Sequence, residues 1–262
     1  MYNIGISLSG GGAKGIAHLG VLKALEEHDL RPEIISGVSA GAIVGALYAD
    51  GHTPDELCQF FKETKFFNYV KFNLRGVRNG LMSQIRFEEM LDSELRSKTF
   101  EELSMPLYIN ATDINDGRNV FFSSGPLVEK VVASASVPGF LTPKEIDGHQ
   151  FVDGGIFNNM PSHIIRSQCR YLIGCHVNPI IHEDHIKDIS KVLRRVYDLC
   201  IQSSTVQEKA ICDLLFEPIE AKNYDIFDID HSEVIFNVGY SFASRLLESK
   251  DLNIIHRWLR KI

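Results

Sequence analysis

The chain has 262 residues, of which 44% are hydrophobic, so it is long enough for one domain with a substantial apolar core. Its formal net charge of −7 argues against nucleic-acid binding and against tight electrostatic adsorption to anionic membranes. Five cysteines without C-x-x-C spacing, an N-terminus without a basic signal region and the lack of a membrane-length apolar run predict a cytoplasmic protein without a disulfide framework.

The first predicted elements are a strand over residues 4–8 and a helix over residues 16–27, joined by a glycine-rich turn. Consecutive N–H groups in such a turn form a concave site that binds a phosphate or the oxyanion of a tetrahedral intermediate. The turn contains Gly10, Gly11, Gly12, Ala13, Lys14 and Gly15.

The same turn fits the G-x-G-x-x-G pattern of dinucleotide-binding proteins, through Gly10, Gly12 and Gly15. That pattern also expects an acidic residue at the end of the second strand to bind the ribose, whereas Glu33 stands at the beginning of that strand. A P-loop is excluded because Ile16, rather than lysine, follows the last glycine. A nucleotide-binding module therefore stays open as an alternative to an oxyanion site.

A second predicted strand, residues 33–36, leads through the pentapeptide Gly37-Val-Ser-Ala-Gly41 into a helix over residues 40–49. A strand-to-helix turn this tight holds its apex residue in a strained conformation and presents the side chain, which is the geometry of a nucleophile elbow. Ser39 is at that apex and at a helix N-terminus, where the macrodipole favours negative charge. The alternative is a buried turn in which Ser39 only caps the helix.

A cap segment is predicted around residues 52–95, and its middle part, residues 65–86, has little regular patterning. The segment is rich in aromatic residues, which either fill a core or line an apolar channel. These residues are Phe60, Phe61, Phe66, Phe67, Tyr69 and Phe72. Core packing is the first interpretation, and the functional hypothesis is that Phe66, Phe67 and Phe72 contact an acyl chain.

A short predicted strand, residues 151–153, delivers an aspartate, which Gly154 and Gly155 follow. An acid at the carboxyl end of a strand in an open α/β sheet is expected to share a crevice with Ser39 and the glycine-rich turn. The ordinary pKa of an aspartate is about 3.9, so Asp153 would be an effective base only in a dry pocket that raises this value. The alternative is a turn aspartate that binds its own backbone.

The other predicted elements alternate between strands and helices, which indicates an α/β protein. The strands cover residues 106–113, 119–123, 171–177 and 214–218, and the helices cover residues 127–134, 188–209, 238–252 and 254–259. The helix over 188–209 is expected to pack on the sheet, because apolar residues recur in it at helical spacing. These residues are Ile189, Val192, Leu193, Val196, Leu199, Cys200 and Ile201.

The ten histidines raise the alternative of a Ser–His–Asp triad. His163 or His176 would fill the histidine position that follows the acid in α/β-hydrolases. Neither stands in a glycine-flanked turn, so a dyad without histidine is preferred, and His18 and His149 are assigned no catalytic role. The sequence from His182 to His185 reads as a polar surface loop, and no metal is assigned.

Together these motifs resemble the patatin-like phospholipases. The resemblance rests on Ser9–Gly15, Gly37–Gly41, Ser134–Pro138 and Asp153–Gly155, in that order, and it covers roughly the first two thirds of the chain. It implies a three-layer α/β/α fold with a mainly parallel central sheet. The sequence shows no repeats, linkers or low-complexity segments, which predicts a single domain over residues 1–262.

The resemblance also implies hydrolysis of lipid acyl esters by a Ser–Asp dyad. Ser39 would be the nucleophile, Asp153 the general base, and Gly11 with Gly12 the oxyanion donors, with no cofactor or metal. Lys14 stands where the family more often has arginine, and lysine lacks the planar fork needed for a bidentate contact.

The expected partner is a lipid or small-ester substrate, with transient contact to a membrane or micelle surface and no nucleic acid. A nucleotide-binding module and a non-catalytic fatty-acid-binding relative stay open as alternatives. The natural substrate and the oligomeric state are not predicted.

Overall fold

The computed structural model describes residues 1–64, 77–180, 182–224, 228 and 230–249. The predicted acyl-chain contacts Phe66, Phe67 and Phe72, and the predicted helix over residues 254–259, lie outside these residues. The strands are β1 (Tyr2–Leu8), β2 (Ile34–Gly37), β3 (Leu107–Asp113), β4 (Arg118–Phe122), β5 (Lys144–Ile146), β6 (His149–Asp153), β7 (Cys169–Cys175) and β8 (Leu214–Phe216). The α-helices are α1 (Ile16–Glu27), α2 (Ala40–Ala49), α3 (Pro54–Thr64), α4 (Val77–Glu94), α5 (Leu127–Ser134), α6 (His163–Arg166), α7 (Ile189–Ala210) and α8 (Ser232–Glu248).

These strands form one sheet in the order β5-β6-β3-β2-β1-β7-β8, with β4 also paired to β3. The neighbours from β3 to β8 are parallel, whereas β4, β5 and β6 pair in antiparallel fashion. The predicted α/β class with a mainly parallel sheet is confirmed.

Strand β3 explains why distant parts of the sequence meet. Ile109 pairs with Gly37 of β2, and Ala111 pairs with Asp153 of β6, while β4 pairs with both residues from the other edge. Since β4 occupies one edge of β3 over residues 109–113, β2 and β6 must share the other edge. Along that edge, β2 pairs with β3 up to Ile109, and β6 pairs with β3 from Ala111 onwards. Strands β2 and β6 run in opposite directions along this edge, so their carboxyl ends meet beside Asn110.

Helices cover both faces of the sheet. Ile4, Ile6 and Leu8 of β1 belong to the main apolar core, which also contains residues of α1, α2, α3, α5 and α8. A smaller cluster on other residues of the sheet includes Ile34 and Leu172, and α6 covers it. The layers are therefore helix, sheet and helix, as expected of a sheet that is apolar on both faces.

Helices α1 and α8 cross at very short range because each has a glycine at the crossing point. A Cβ atom at Gly20 would lie 2.1 Å from the carbonyl oxygen of Phe236, and one at Gly239 would lie 2.0 Å from that of Ala17. Any side chain at either position would force the helices apart.

Most predicted boundaries agree with the structure, and α1, α2 and α5 coincide with their predicted ranges. Helix α8 begins at Ser232, six residues before the predicted start at Val238, because Ile235 and Phe236 also pack in the core. Strand β5 and helix α6 have three and four residues and were not predicted, since elements this short show no periodicity.

The prediction that the apolar face of α7 packs on the sheet was wrong. Ile201 is buried, but the other large aliphatic residues of the predicted face are exposed to solvent. Periodicity identified the helix correctly and could not tell which of its two faces the protein covers.

The described parts of the predicted cap segment are α3 and α4. Phe61 is buried and Phe60 packs against the core, which confirms the core interpretation for these two aromatic residues. Phe87 and Leu91 of α4 are buried in the same core. Within the described ranges, no helix is both long and apolar enough to cross a membrane.

Candidate active site

Ser39 occupies the turn between β2 and α2, with a φ of 54° and a ψ of −121°. A positive φ is rare for a residue with a side chain, and it matches the strain expected at a nucleophile elbow. The turn is possible because a Cβ atom at Gly37 would lie 2.5 Å from the Gly41 carbonyl oxygen, and one at Gly41 would lie 2.3 Å from the Leu8 carbonyl oxygen. The predicted elbow geometry is therefore present.

The Ser39 side chain does not cap α2, so the capping alternative is wrong. The Ser39 side chain instead interacts with the carboxylate of Asp153 and lowers the pKa of that group. The Ser39 backbone N–H donates to Ser134 Oγ at 3.0 Å, which fixes the turn from the side of α5. The serine is 7% exposed, so a substrate would meet its hydroxyl in a nearly dry environment.

Three hydrogen bonds fix the position of Asp153. Its Oδ1 accepts the Gly155 N–H at 2.8 Å, its own N–H donates to the Ser136 carbonyl at 2.9 Å, and its carbonyl accepts the Thr112 hydroxyl at 3.0 Å. The turn interpretation of Asp153 is therefore confirmed, and it does not exclude a pairing with Ser39.

The expected reason for the meeting of Ser39 and Asp153 needs correction. The sequence argument placed Asp153 at the same edge of a parallel sheet as the elbow, but β6 is antiparallel to β3. Asp153 reaches Ser39 because β6 continues along the edge of β3 where β2 stops.

Burial raises the pKa of Asp153 to about 6, against the opposing effects of the hydrogen bonds from Ser39 and Gly155. A carboxylate in this range is a stronger base than an ordinary aspartate and is still ionised at neutral pH.

The glycine-rich turn lies directly against the elbow, since a Cβ atom at Gly10 would lie 3.2 Å from that of Ser39. The Gly10 N–H is already used, because it donates to the Asn159 carbonyl at 3.2 Å. In the described part of the chain, the N–H groups of Gly11 and Gly12 donate to no protein acceptor. They are therefore the donors of this turn that a ligand oxygen can use.

The remaining residues of the turn support it. A short 3₁₀ turn covers Gly12–Gly15, and Ala13 and Gly15 are buried in it. Lys14 is also buried, and its ammonium group donates to Asn178 Oδ1 at 2.8 Å. Lys14 thus ties the turn to the segment after β7.

His18 lies in the first turn of α1 and anchors the beginning of the glycine-rich turn. Its Nε2 lies 2.8 Å from the Ser9 carbonyl oxygen, and its Nδ1 lies 3.1 Å from Cys175 Sγ. A carbonyl oxygen only accepts, so Nε2 must carry the proton and Nδ1 accepts from the thiol. Burial lowers the pKa of His18 to about 4, which keeps the ring neutral at physiological pH.

We expect His18→Phe to lower stability by about 1–3 kcal/mol, because the Ser9 carbonyl would lose its buried donor. It should also lower kcat by about tenfold, the equivalent of one hydrogen bond at the adjacent turn. His18→Gln, which can still donate to Ser9, should restore most of both. Urea unfolding and ester hydrolysis measure the two effects, and equal losses in both variants would contradict the anchoring role.

The histidines considered for a triad bind other carboxylates. His163 Nδ1 lies 2.5 Å from Glu208 Oε1, and His176 Nδ1 lies 2.7 Å from Glu217 Oε1. Neither of these histidines contributes to the pKa of Asp153, whose hydrogen-bond partners are Ser39 and Gly155. The geometry favours a dyad.

One cluster of described residues has the composition of a metal site. Ligand atoms of Asp113, Asp116 and His149 lie within 4.8 Å of one another. The Arg118 side chain already pairs with both aspartates, at 3.3 and 3.2 Å. These ion pairs account for the cluster, and we assign it no metal.

Several residues that position the site were not predicted. They are Asn110, Thr112 and Asn159, while Ser134 and Ser136 were noticed only as part of a motif. Asn110 Nδ2 donates to the carbonyls of Gly154 and Asn158, which holds the turn after Asp153. The position of Asn110 within a strand gave no sign of this role, because the contact depends on the meeting of β2 and β6.

Comparison with known proteins identifies the family of the chain. The sequence model of the family described as patatin-like phospholipase matches residues 6–165, which include both candidate catalytic residues. The chain belongs to this family. A patatin-like phospholipase domain-containing protein of Caenorhabditis elegans is 33% identical over 276 residues, covering 92% of this chain and 20% of the worm protein.

Other members of the patatin-like phospholipase family show the same partial coverage. The patatin-like phospholipase domain-containing protein 6 of Homo sapiens is 27% identical over 92% of this chain and 20% of its own length. The lysophospholipase NTE1 of Kluyveromyces lactis is 24% identical over 94% of this chain and 19% of its own length. The chain thus spans about a fifth of these relatives.

A solved structure shares the fold. Human GIVD cytosolic phospholipase A2, in complex with methyl γ-linolenyl fluorophosphonate, matches with a TM-score of 0.54 at 13% identity, over 99% of this chain and 58% of the human chain. At this identity the likeness concerns the fold alone, and it supports the patatin-like α/β/α architecture.

Proposed function

We propose that this protein is a serine hydrolase of lipid acyl esters that works through a Ser39–Asp153 dyad. The observation that carries the proposal is the pairing of a strained, nearly buried serine with a buried carboxylate, whose pKa burial raises to about 6 and the serine side chain lowers in turn. Two unused N–H groups of the adjacent glycine-rich turn complete the set of groups that acyl transfer needs.

In the proposed reaction, Asp153 takes the proton of Ser39 as the serine oxygen attacks the ester carbonyl. The Gly11 and Gly12 N–H groups donate to the resulting oxyanion, and each such donor contributes about 3 kcal/mol in comparable enzymes. The tetrahedral intermediate collapses, Asp153 returns the proton to the leaving alcohol, and an acyl-enzyme remains.

The second half of the reaction repeats these roles. Asp153 takes a proton from water as the water oxygen attacks the acyl-enzyme, and the same glycine N–H groups stabilise the oxyanion. Collapse of this intermediate returns the proton to Ser39 and releases the carboxylic acid. The site is thereby restored.

The substrate that we propose is a phospholipid or lysophospholipid. Support comes from the names of the sequence relatives, which include a lysophospholipase and patatin-like phospholipase domain-containing proteins. We also propose transient contact with a membrane or micelle, and a cytoplasmic location, which the five unpaired cysteines support.

A cap formed by the segment around residues 52–95, within a single domain, also stays a proposal. Its support is Gln84 of α4, which is buried, donates to Ser136 Oγ at 3.3 Å and accepts from the Thr142 hydroxyl. The Ser136 carbonyl in turn holds the Asp153 N–H. A movement of α4 would therefore be transmitted through Ser136 to the proposed base, Asp153.

Labelling with a fluorophosphonate tests the proposed function. We expect one adduct, located at Ser39 by peptide mass, together with fatty-acid release from lysophosphatidylcholine and from a short-chain nitrophenyl ester. A folded protein that is neither labelled nor active would contradict the proposal. Affinity for adenylates would then favour a nucleotide-binding module, and affinity for fatty acid without turnover would favour a non-catalytic lipid-binding relative.

A further inference from the structure

Helix α7 has an exposed apolar face. Six large aliphatic residues on it are between 38% and 75% exposed, and they follow one another at helical spacing. We call them the α7 stripe, and they are Ile189, Val192, Leu193, Val196, Leu199 and Val206. The other exposed large apolar residues of the described chain are scattered, so the stripe is a distinct patch. From Ile189 to Val206 it spans 18 residues, which corresponds to about 26 Å from the first to the last.

The opposite side of α7 is fixed to the protein. Thr205 is buried, and the Glu208 carboxylate accepts the His163 N–H at 2.8 Å and Asn158 Nδ2 at 2.7 Å. Ser204 Oγ accepts the Asn159 N–H at 3.0 Å. The stripe is therefore displayed on a firmly attached helix.

The attached side of α7 also adjoins the proposed active site. The helix packs against the 3₁₀ turn that follows Asp153, at Gly154–Ile156. Burial, and secondly the negative charge of Asp153, raise the pKa of Tyr197 on this side. An α-helix with its side chains is about 10–12 Å across, so the α7 stripe lies roughly one helix diameter from the site.

Residues 183–200 contain four acidic and four basic residues, so the formal charges beside the stripe are balanced. Lys191 pairs with Asp188, and Arg195 pairs with Glu183, each at 3.8 Å. Together with the net charge of −7, this leaves no basic surplus of the kind that binds anionic lipid. An exposed apolar face with balanced charges is suited to a zwitterionic lipid surface, where contact is mainly hydrophobic.

We propose that the α7 stripe docks the protein onto a zwitterionic phospholipid surface, next to the site that cleaves the lipid. This inference rests on the proposed function, because lipid hydrolysis requires the site to reach esters held in a bilayer or micelle. A helix that packs on the turn after Asp153 with one side and contacts lipid with the other would hold the proposed site about one helix diameter from the lipid surface.

Binding to phosphatidylcholine vesicles, measured by co-sedimentation of the full chain, tests this directly. Val196→Glu and, separately, Leu193→Glu should each lower the vesicle partition coefficient at least tenfold. The matched control is Val234→Glu on α8, which changes a residue of similar exposure, 45% against 50% for Val196, and should bind as the unchanged protein does. Thermal unfolding confirms that each variant is folded.

Hydrolysis separates this inference from the proposed function. The ratio of vesicle hydrolysis to hydrolysis of a monomeric short-chain ester should fall at least tenfold in the two stripe variants and stay constant in the control. Vesicle binding that depends on the stripe, without hydrolysis of either substrate, would refute the proposed function and leave the docking surface standing.

Three results would overturn the docking proposal. The first is absence of binding to phosphatidylcholine vesicles, and the second is binding that the stripe variants do not weaken. The third is a change from dimer to monomer by light scattering in those variants, with vesicle binding unaffected, which would assign the stripe to a second copy of the chain. Stronger binding to phosphatidylserine vesicles than to phosphatidylcholine would refute the zwitterionic preference.

Discussion

Ser39→Ala should lower kcat for ester hydrolysis by about 10⁴-fold or more, the loss seen when a nucleophile is removed from a serine hydrolase. Among the described residues, Ser39 is the side chain that interacts with the Asp153 carboxylate, so no other hydroxyl is paired with the proposed base. Fold stability should change little, since the Ser134 bond is to the Ser39 backbone and survives the change. Steady-state kinetics with a nitrophenyl ester and fluorophosphonate labelling measure the effect.

The chain offers a matched control three residues earlier. Ser36 is fully buried, and its hydroxyl has no hydrogen-bond partner among the described residues. Ser36→Ala should therefore keep full activity and labelling. Comparable losses in both variants would show that the effect comes from the packing of β2 and α2 rather than from the nucleophile.

Asp153→Asn should abolish turnover and, at the same time, make the protein more stable. The pKa of Asp153 is raised to about 6 in the folded protein, so above that pH the fold carries a buried charge that the unfolded chain accommodates more easily. A rise of about two pH units corresponds to about 3 kcal/mol at pH 8. Asparagine removes this cost, and its amide can still accept from Gly155 and donate to Ser39.

The sign of the effect depends on pH. The ordinary protein loses stability as the pH rises from about 4 to 6, because the folded state holds a proton that the unfolded state has released. Asp153→Asn lacks this step, so its stability gain should be present at pH 8 and absent below pH 4. In the same range, kcat/KM of the unchanged protein should fall tenfold per pH unit below about 6, as the base becomes protonated.

Asp113, at the end of the neighbouring strand β3, provides the contrasting control. Burial alone would raise its pKa, but the N–H groups of Asp116 and Asn115 and the Arg118 guanidinium together lower the pKa. Asp113→Asn should therefore destabilise the protein at neutral pH, opposite in sign to Asp153→Asn. Denaturant unfolding at pH 4 and pH 8 distinguishes the two variants. If both variants were less stable than the unchanged protein at pH 8, the ionised Asp153 would not be unfavourable in the folded state.

The groups of the candidate site could be predicted because their signals are local. Ser39 and Asp153 each stand between a short apolar strand and glycines, and those glycines are required by contacts within a few residues or with the adjacent strand. Their distance could not be predicted, since it depends on β6 taking the edge of β3 that β2 leaves. The same holds for Ser134, whose hydroxyl meets a backbone N–H 95 positions away.

The errors also have a common physical cause. Apolar periodicity predicted α7 correctly, but burial depends on which neighbour covers a face, and a helix with apolar residues on two sides has no local preference. The histidine pairs illustrate the same limit. His163 and His176 fit a triad by chain order alone, and glutamates 45 and 41 positions away in the sequence determine their actual partners.

The crossing of α1 and α8 shows that the core extends beyond the region that the family model matches. The family match ends at residue 165, yet the strand on one side of β1 is β7, and the backbone of α8 lies directly on α1 through Gly20 and Gly239. A chain truncated at the limit of the match would expose a long edge of β1 and a bare groove along the helix that carries the glycine-rich turn. The matched region is therefore smaller than the packed core, and fragments should be designed from the packing of α8 rather than from the limits of the match.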